Sequence, residues 1–499
     1  MSSEKHRLLA VGGSAILASL AFPPINQWYL AFIALVPLLW VFSSGRHGFL
    51  YGYLFGLVYG LFMVHWLAFN SGEAVWIVSL SMVAAALALA LNYGLIGWMT
   101  TFIFRHRPQY ATLAFPFTWM SVEYLRSFGA LGFPWIALAN SQTENLLFAQ
   151  LADIGGIWLI SFIIVSVNVL LFHILYQANQ GRFHRNAAIS LVVIFLAAYT
   201  YGFIRWQSID DKGPSAVFRV VQPNYGSSEK WDRENRMRIF HTLDSLSRAD
   251  KLEKIDFIVW PESATPVYLR KSHRWSAYVS NISNETRSII ITGAPDYEKV
   301  GETYYSFNSM LIFEPGQGLT GKYDKEHLVP FGEYIPLSES LPKLKSLNIG
   351  IGNFVKGVND SNQYQRFIDL RLAPIICYES IFPHMTRQRI LEGGVFLLLL
   401  TNDSWFGDSW APYQHAAQAK FRAIETRRPL IRSANTGISM AVNIKGQIID
   451  SLPLNTRGVL DLKVQSSHKE PLYLRFGDFF AQAVVLLLIV GVLWLWRKK

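Results

Sequence analysis

Thirty consecutive residues, 75–104, carry no charged side chain. A helix needs roughly 20 apolar residues to cross a bilayer, so this stretch alone points to a membrane span with length left over for tilt. Similar apolar stretches cover residues 8–22, 28–42, 49–69, 111–120 with its extension, 157–176, 187–203 and 479–496. The first follows a short basic start, as a signal peptide would. It lacks a small-residue cleavage site and runs straight into further apolar segments, so it reads as a first membrane helix. The expectation is a polytopic α-helical membrane domain of eight transmembrane helices.

Charge placement supports that frame and orients it. Only Glu4, Glu73, Glu123, Glu144 and Asp153 of the 35 acidic residues precede residue 205. A membrane half therefore precedes a water-exposed half. With eight spans, Lys5, Arg7, Arg46, Arg105, Arg107, Arg182, Arg185 and the terminal Arg497-Lys498-Lys499 share one side. The excess of basic residues in short loops makes that side the cytoplasm. It also assigns much of the net charge of +10 to membrane topology and not to nucleic-acid binding. Three segments follow: 1–206, a membrane domain with seven helices; 207–477, an extracytoplasmic domain; and 478–499, a last transmembrane helix. Within the membrane half, Glu123 and Arg126 are spaced to pair on one helix face, and ionised groups near lipid usually pair or face water.

The extracytoplasmic part alternates short apolar runs with amphipathic stretches. Residues 216–222, 257–260, 289–292, 308–313, 372–377 and 395–401 read as buried strands. Residues 233–248 and 413–427 read as helices. This is an α/β layered pattern.

Three features fall at strand ends or in adjoining loops. Cys377 is the single cysteine of the chain, placed where an apolar run stops. It excludes an internal disulfide. Such a thiol is either a small buried hydrophobe or a nucleophile. Glu262 follows Trp260-Pro261, where the proline stops a ladder; it is either a helix cap or a base. Lys325 lies in a polar loop between apolar stretches and is either a solvated charge or an oxyanion stabiliser. Together the three form a complete acyl-transfer set: a carboxylate to take the thiol proton, a thiolate to attack a carbonyl, and an ammonium to hold the oxyanion. The sequence has no phosphate-binding glycine loop, and a thioester needs no nucleotide to acylate an amine.

Glu262 in Trp-Pro-Glu-Ser, Lys325 in Tyr-Asp-Lys-Glu-His-Leu-Val-Pro-Phe-Gly-Glu-Tyr and Cys377 in Ile-Cys-Tyr-Glu-Ser resemble the carbon–nitrogen hydrolase (nitrilase) superfamily. On an eight-span frame, the chain is similar to the apolipoprotein N-acyltransferase family. The membrane half adds Trp119, Glu123, Leu125, Arg126 and Gly132-Phe133-Pro134-Trp135 to that likeness. The later half adds Thr401 to Gly407, Gln414-His415 and Arg432 to Gly437.

The resemblance implies a nitrilase-like αββα sandwich on a membrane base, in a bacterial inner membrane with the catalytic domain in the periplasm. Glu262 would be general base, Cys377 nucleophile and Lys325 oxyanion stabiliser. Glu333 looks like the family's second active-site glutamate, and Glu379 like a support beside the nucleophile. The donor would be a phospholipid, acylating the thiol from its sn-1 ester, with phosphatidylethanolamine the typical choice. The acceptor would be the α-amine of an S-diacylglyceryl-cysteine on an apolipoprotein. No metal or diffusible cofactor is implied, and the chain is expected to act as a monomer.

Residues 341–355, with Phe354 among their apolar side chains, read as a lid over the acyl chain or as a packed surface loop. Trp405 and Phe406 read as acyl-path lining or as core aromatics. Two other functions fit parts of the pattern. A membrane-tethered amidase would use the same three residues with water as acceptor, and a transporter or scaffold would need the helices alone.

Overall fold

The computed structural model describes residues 3–70, 74–249, 254–336, 354–359 and 361–497. These divide into two compact units. The first holds the chain up to Phe69, Val75–Ile209 and the chain from Pro471; the second is built from Asp210–Glu470.

The first unit is helical. Its longer helices are Glu4–Leu20, Gly48–Val64, Val75–His106, Pro108–Leu125, Ala152–Ala178, Arg185–Ser208 and Phe479–Arg497. Four segments among the described residues are long and apolar enough to cross a membrane: Gly48–Phe69, Val75–His106, Ala152–Ala178 and Arg185–Ser208. Trp28–Phe42 and Phe479–Trp494 are apolar but shorter. Trp28–Phe32 is a 3-10 turn, and only Val36–Phe42 continues as α-helix.

Glycine sets the closest packing in this unit. A Cβ on Gly52 would lie 2.1 Å from the carbonyl oxygen of Tyr93, and one on Gly97 2.1 Å from that of Gly48. Helices Gly48–Val64 and Val75–His106 thus touch backbone to backbone, which only small residues allow. Asp153, Glu123 and Arg126 find partners inside this unit. Asp153 pairs with Arg205 at 2.8 Å and accepts from the Tyr201 hydroxyl at 2.5 Å. Glu123 accepts from Trp119 Nε1 and from the Leu138 amide, each at 2.9 Å. Arg126, just past the end of its helix, donates to the Tyr93 hydroxyl at 3.3 Å.

The second unit contains eleven described strands: β1 (Ser215–Gln222), β2 (Phe257–Val259), β3 (Ile289–Val300), β4 (Thr303–Glu314), β5 (Gly318–Asp324), β6 (Leu372–Ile376), β7 (Phe396–Thr401), β8 (Leu430–Ala434), β9 (Ser439–Val442), β10 (Ile448–Leu452) and β11 (Gly458–Gln465). They form a six-stranded sheet, β11-β1-β2-β3-β4-β5, and a five-stranded sheet, β10-β9-β8-β7-β6. Strands β1, β2 and β3 run parallel, as do β6, β7 and β8; β4, β5, β9, β10 and β11 pair antiparallel.

Period-2 alternation explains the layering. Phe396, Leu398 and Leu400 of β7 join Val220, Val259, Ile291 and Ile312 in one core between the sheets. On the other face of the larger sheet, Ile258, Ile290 and Leu311 pack on Ile239, Phe240, Val279 and Ile282 of helices Arg236–Ser247 and His273–Thr286. Helices Pro383–Leu391 and Trp410–Thr426 pack against β6 and β8 of the smaller sheet, so helices flank both sheets in an αββα arrangement. Pro374, which has no N–H to donate, sits in β6 at the sheet edge, where a proline is tolerated.

Candidate active site

The chemistry-bearing residues follow strand ends. Glu262 lies three residues past β2, Lys325 one past β5, and Cys377 one past β6. The carboxyl ends of parallel strands are where α/β sheets place ligands. The sequence expectation had Cys377 finishing its strand. In the structure β6 stops at Ile376, and Cys377 opens a 3-10 turn with φ +50°. A non-glycine residue in this left-handed region costs about 1–2 kcal/mol and needs its surroundings to hold it.

Lys325 is placed by its strand pairing. Its amide donates to the Asn308 carbonyl at 2.9 Å, extending the β4–β5 ladder by one rung. Its Nζ lies 2.9 Å from Glu333 and 3.5 Å from Glu262 Oε1. Asn308 Nδ2 donates to Glu262 Oε1 at 2.7 Å and to Glu333 Oε1 at 3.0 Å. Glu333 Oε2 accepts from the Val329 amide at 2.8 Å. One ammonium and one amide therefore bridge two carboxylates. Asn308 was not singled out from the sequence, because an asparagine inside an apolar run carries no signature of its own.

The turn bearing Glu262 needs Gly293 beside it. A Cβ there would lie 2.6 Å from Glu262 Cα and 2.5 Å from the Ser263 nitrogen. Lys230 approaches from the helix Ser227–Trp231 and donates to the Glu262 carbonyl at 3.3 Å.

The electrostatics of the cluster follow from burial. Burial pushes the Glu262 carboxyl above the ordinary carboxylate range; Lys325 opposes this and Glu333 adds to it. Burial also raises the Cys377 thiol well above its usual value. Glu262 raises it further, while Lys325 and a hydrogen bond to Thr401 pull it down. Burial alone would lower the Lys325 ammonium. Glu333, Glu262 and Cys377 more than reverse that, so the lysine stays charged. Burial takes Lys230 down to about 7, against the attraction of Glu262.

Glu379 ties the turn that begins at Cys377 to the lysine loop. Its carboxylate accepts from the Ile376 amide at 2.7 Å, the Glu326 amide at 2.7 Å and the His327 amide at 3.1 Å. The Tyr323 hydroxyl lies 2.9 Å from both of its oxygens.

Of residues 341–355 only Phe354 and Val355 are described; the other lid residues lie outside the described residues. The Phe354 amide donates to the Glu333 carbonyl at 3.0 Å, so Phe354 adjoins the cluster. Trp405 and Phe406 are half-buried on the 3-10 turn Asp403–Phe406. Among the described residues there is no cluster of histidine, cysteine, aspartate and glutamate suited to a metal ion.

A cysteine, a lysine and paired glutamates on an αββα sandwich define an enzyme of the carbon–nitrogen hydrolase class. Residues 219–471 match the carbon-nitrogen hydrolase family, and residues 14–170 match the apolipoprotein N-acyltransferase N-terminal domain. The chain is 33% identical to the apolipoprotein N-acyltransferase of Geobacter metallireducens, over 95% of this chain and 92% of that one. It is 31% identical to the one of Chlorobaculum tepidum, over 96% and 94%. It is 34% identical to the one of Rhizobium leguminosarum bv. trifolii, over 92% and 90%. Among solved structures it is similar to an amidase of the nitrilase superfamily from Nesterenkonia, at TM-score 0.39 and 15% identity, covering 55% of this chain and 97% of that chain. The chain belongs to the apolipoprotein N-acyltransferase family and is an acyltransferase.

Proposed function

We propose that this enzyme N-acylates apolipoproteins during lipoprotein maturation, taking the acyl chain from a phospholipid through a thioester on Cys377. The observation that carries the reading is the buried bridge of Lys325 to Glu262 and Glu333 beside the only thiol of the chain.

Glu262 takes the thiol proton. The thiolate adds to the sn-1 ester carbonyl, and the Lys325 ammonium stabilises the oxyanion. Collapse expels the lysophospholipid alkoxide, which takes its proton back from Glu262. The free α-amine of an S-diacylglyceryl-cysteine then attacks the thioester. Its proton passes to Glu262, an amide forms, and the thiolate leaves and is reprotonated. Glu333 holds Lys325 in place and charged through both steps. Glu379 supports the nucleophile turn. Phe354, Trp405 and Phe406 line the acyl path.

Both substrates carry lipid chains, which suits an active site carried by a membrane protein. The proposed frame is the eight-span one, with 1–206 and 478–499 in the bacterial inner membrane and 207–477 in the periplasm. It is supported by the placement of basic residues in the short loops.

Intact mass after incubation with phosphatidylethanolamine and no acceptor tests the reading. One added acyl group is expected, removable by neutral hydroxylamine and absent in Cys377→Ser. A diacylglyceryl-cysteine peptide should discharge it as an amide. Absence of an adduct together with hydrolysis of a small amide would instead establish an amidase.

A further inference from the structure

The steps above leave a buried group of side chains unused. It lies next to Cys377 and is drawn from four elements. His415 comes from the helix Trp410–Thr426, Asp403 from the turn after β7, Arg432 from β8 and Ser380 from the nucleophile turn itself. All four are at most 5% exposed.

Their bonds converge on one atom. Ser380 Oγ–H donates to the Cys377 carbonyl oxygen at 2.8 Å. His415 Nε2 lies 3.2 Å from the same oxygen and 2.9 Å from Ser380 Oγ. The Ser380 hydrogen is already committed to the carbonyl, so Nε2 serves either neighbour only as a donor. On the far side of the ring, Arg432 Nη2 donates to Asp403 Oδ2 at 2.6 Å and to His415 Nδ1 at 3.3 Å. An accepting Nδ1 leaves the imidazole proton on Nε2, where the carbonyl needs it. Burial, then Arg432, holds the ring below the ordinary histidine value, so it keeps a single proton at neutral pH. Asp403 acts through Arg432: its Oδ2 anchors the guanidinium that bonds Nδ1.

We infer that His415 is the positioning residue of the nucleophile: held by Arg432, which Asp403 anchors, it bonds the main-chain carbonyl of Cys377 and keeps that residue in the left-handed conformation that presents its thiol to Glu262 and Lys325. The inference concerns the thiol proposed above as nucleophile and so rests on that reading. A backbone at φ +50° on a side-chain-bearing residue is held only where its surroundings over-determine it. Here the Ile376 amide is tied to Glu379 on one side and the Cys377 carbonyl to His415 and Ser380 on the other.

The test compares His415→Ala, His415→Asn and His415→Gln. Glutamine places an amide donor near the site of Nε2; asparagine is too short to do so. The readouts are the single-turnover rate of Cys377 acylation by phosphatidylethanolamine, its apparent phospholipid KM, the iodoacetamide alkylation rate of Cys377 and the thermal midpoint. A misplacement of about 1 Å costs on the order of 100-fold. His415→Ala and His415→Asn should therefore acylate about 100-fold more slowly at unchanged KM, and His415→Gln should recover at least about ten-fold of the loss. Acylation at the wild-type rate in His415→Ala would overturn the inference. Where alanine does not yield folded protein, equal rates for glutamine and asparagine at matched thermal midpoints would overturn it instead. Should the wild type form no acyl adduct, the acyl-enzyme reading fails by itself. The alkylation rates then decide the role of His415 in the same order: wild type, then glutamine, then asparagine and alanine.

Discussion

Asn308 accepts the main-chain N–H of Lys325 at 2.9 Å, one rung beyond the paired part of β4 and β5. A single asparagine thereby does two things. Its backbone sets the register of the lysine, and its side-chain amide bonds both carboxylates that face that lysine. The sheet ladder and the buried cluster of Glu262, Lys325 and Glu333 are one structure at this point.

Replacing Asn308 by leucine should keep the rung and remove both side-chain bonds. Hydrogen bonds to charged groups are each worth about 1.5–3 kcal/mol. The expected result is a loss of about 10- to 100-fold in acyl-enzyme formation, with the thermal midpoint lowered by a few degrees at most. Asn308→Asp should be worse, because a third carboxylate raises the Glu262 pKa further. Single-turnover mass spectrometry with phosphatidylethanolamine measures both variants. A wild-type rate for Asn308→Leu would show that the amide does not orient the base.

The pH dependence follows from Glu262. In the proposed mechanism Glu262 works as a carboxylate base, and burial raises its pKa above 4.5. Activity should therefore fall as pH drops through a midpoint above 4.5, not at the position of an exposed glutamate. Lys325 works against that rise. Lys325→Met should move the acidic limb to still higher pH, and loss of an oxyanion donor should cut the rate by about 100- to 1,000-fold. A profile of the acylation rate against pH for the two proteins decides. An acidic limb that does not move in Lys325→Met would separate Glu262 from the titrating group.

Glu379 meets three amides and a tyrosine hydroxyl, all of them donors. Glu379→Gln has nearly the same shape but turns an NH₂ toward donors. A buried donor left unsatisfied costs about 1–3 kcal/mol. The variant should unfold several degrees below wild type and alkylate more slowly at Cys377. Equal thermal midpoints would show that the turn rearranges around the amide.

Much of this architecture is legible in the sequence wherever side chains act through their own periodicity. Strands β1, β2, β6 and β7 are short apolar runs buried on both faces, and each was expected within a residue or so of its observed ends. Strands β3 and β4 run longer than expected because the largely polar Asp296–Lys299 and Thr303–Ser306 are paired in a hairpin. Strand β5 was missed, since Gly318 and Gly321 interrupt any apolar pattern and its pairing to β4 supplies the order. Strand β8 was missed because Arg432 breaks its apolar run, although that arginine is fully buried against Asp403. Strand β11 does alternate, with Leu460, Leu462 and Val464 buried, but its register depends on β1, 236 residues away at closest, from Gln222 to Gly458. Of the site, Glu262, Lys325 and Cys377 carry signatures at strand ends. Lys230 does not, because its role arises only from burial beside those residues, and His415 enters the sequence reading only through the Gln414-His415 pair of the family likeness.

Lys230 gives the last prediction. Its amine is 1% exposed and its pKa is taken down to about 7, by burial first, against the attraction of Glu262. In an unfolded chain it would titrate at about 10.4. Between these two values the unfolded state binds more protons, so stability rises with pH across that window. Below about 7 the folded protein carries a buried charge and bears the whole cost. Lys230→Met removes the group without emptying the space. The variant should therefore exceed the wild type in thermal midpoint most strongly at pH 6. That advantage should shrink as pH rises through 7 and be gone by about 10.4. Thermal unfolding of both proteins across this range, in one detergent and at one salt concentration, measures the difference. A gap independent of pH would mean that Lys230 stays charged beside Glu262 throughout.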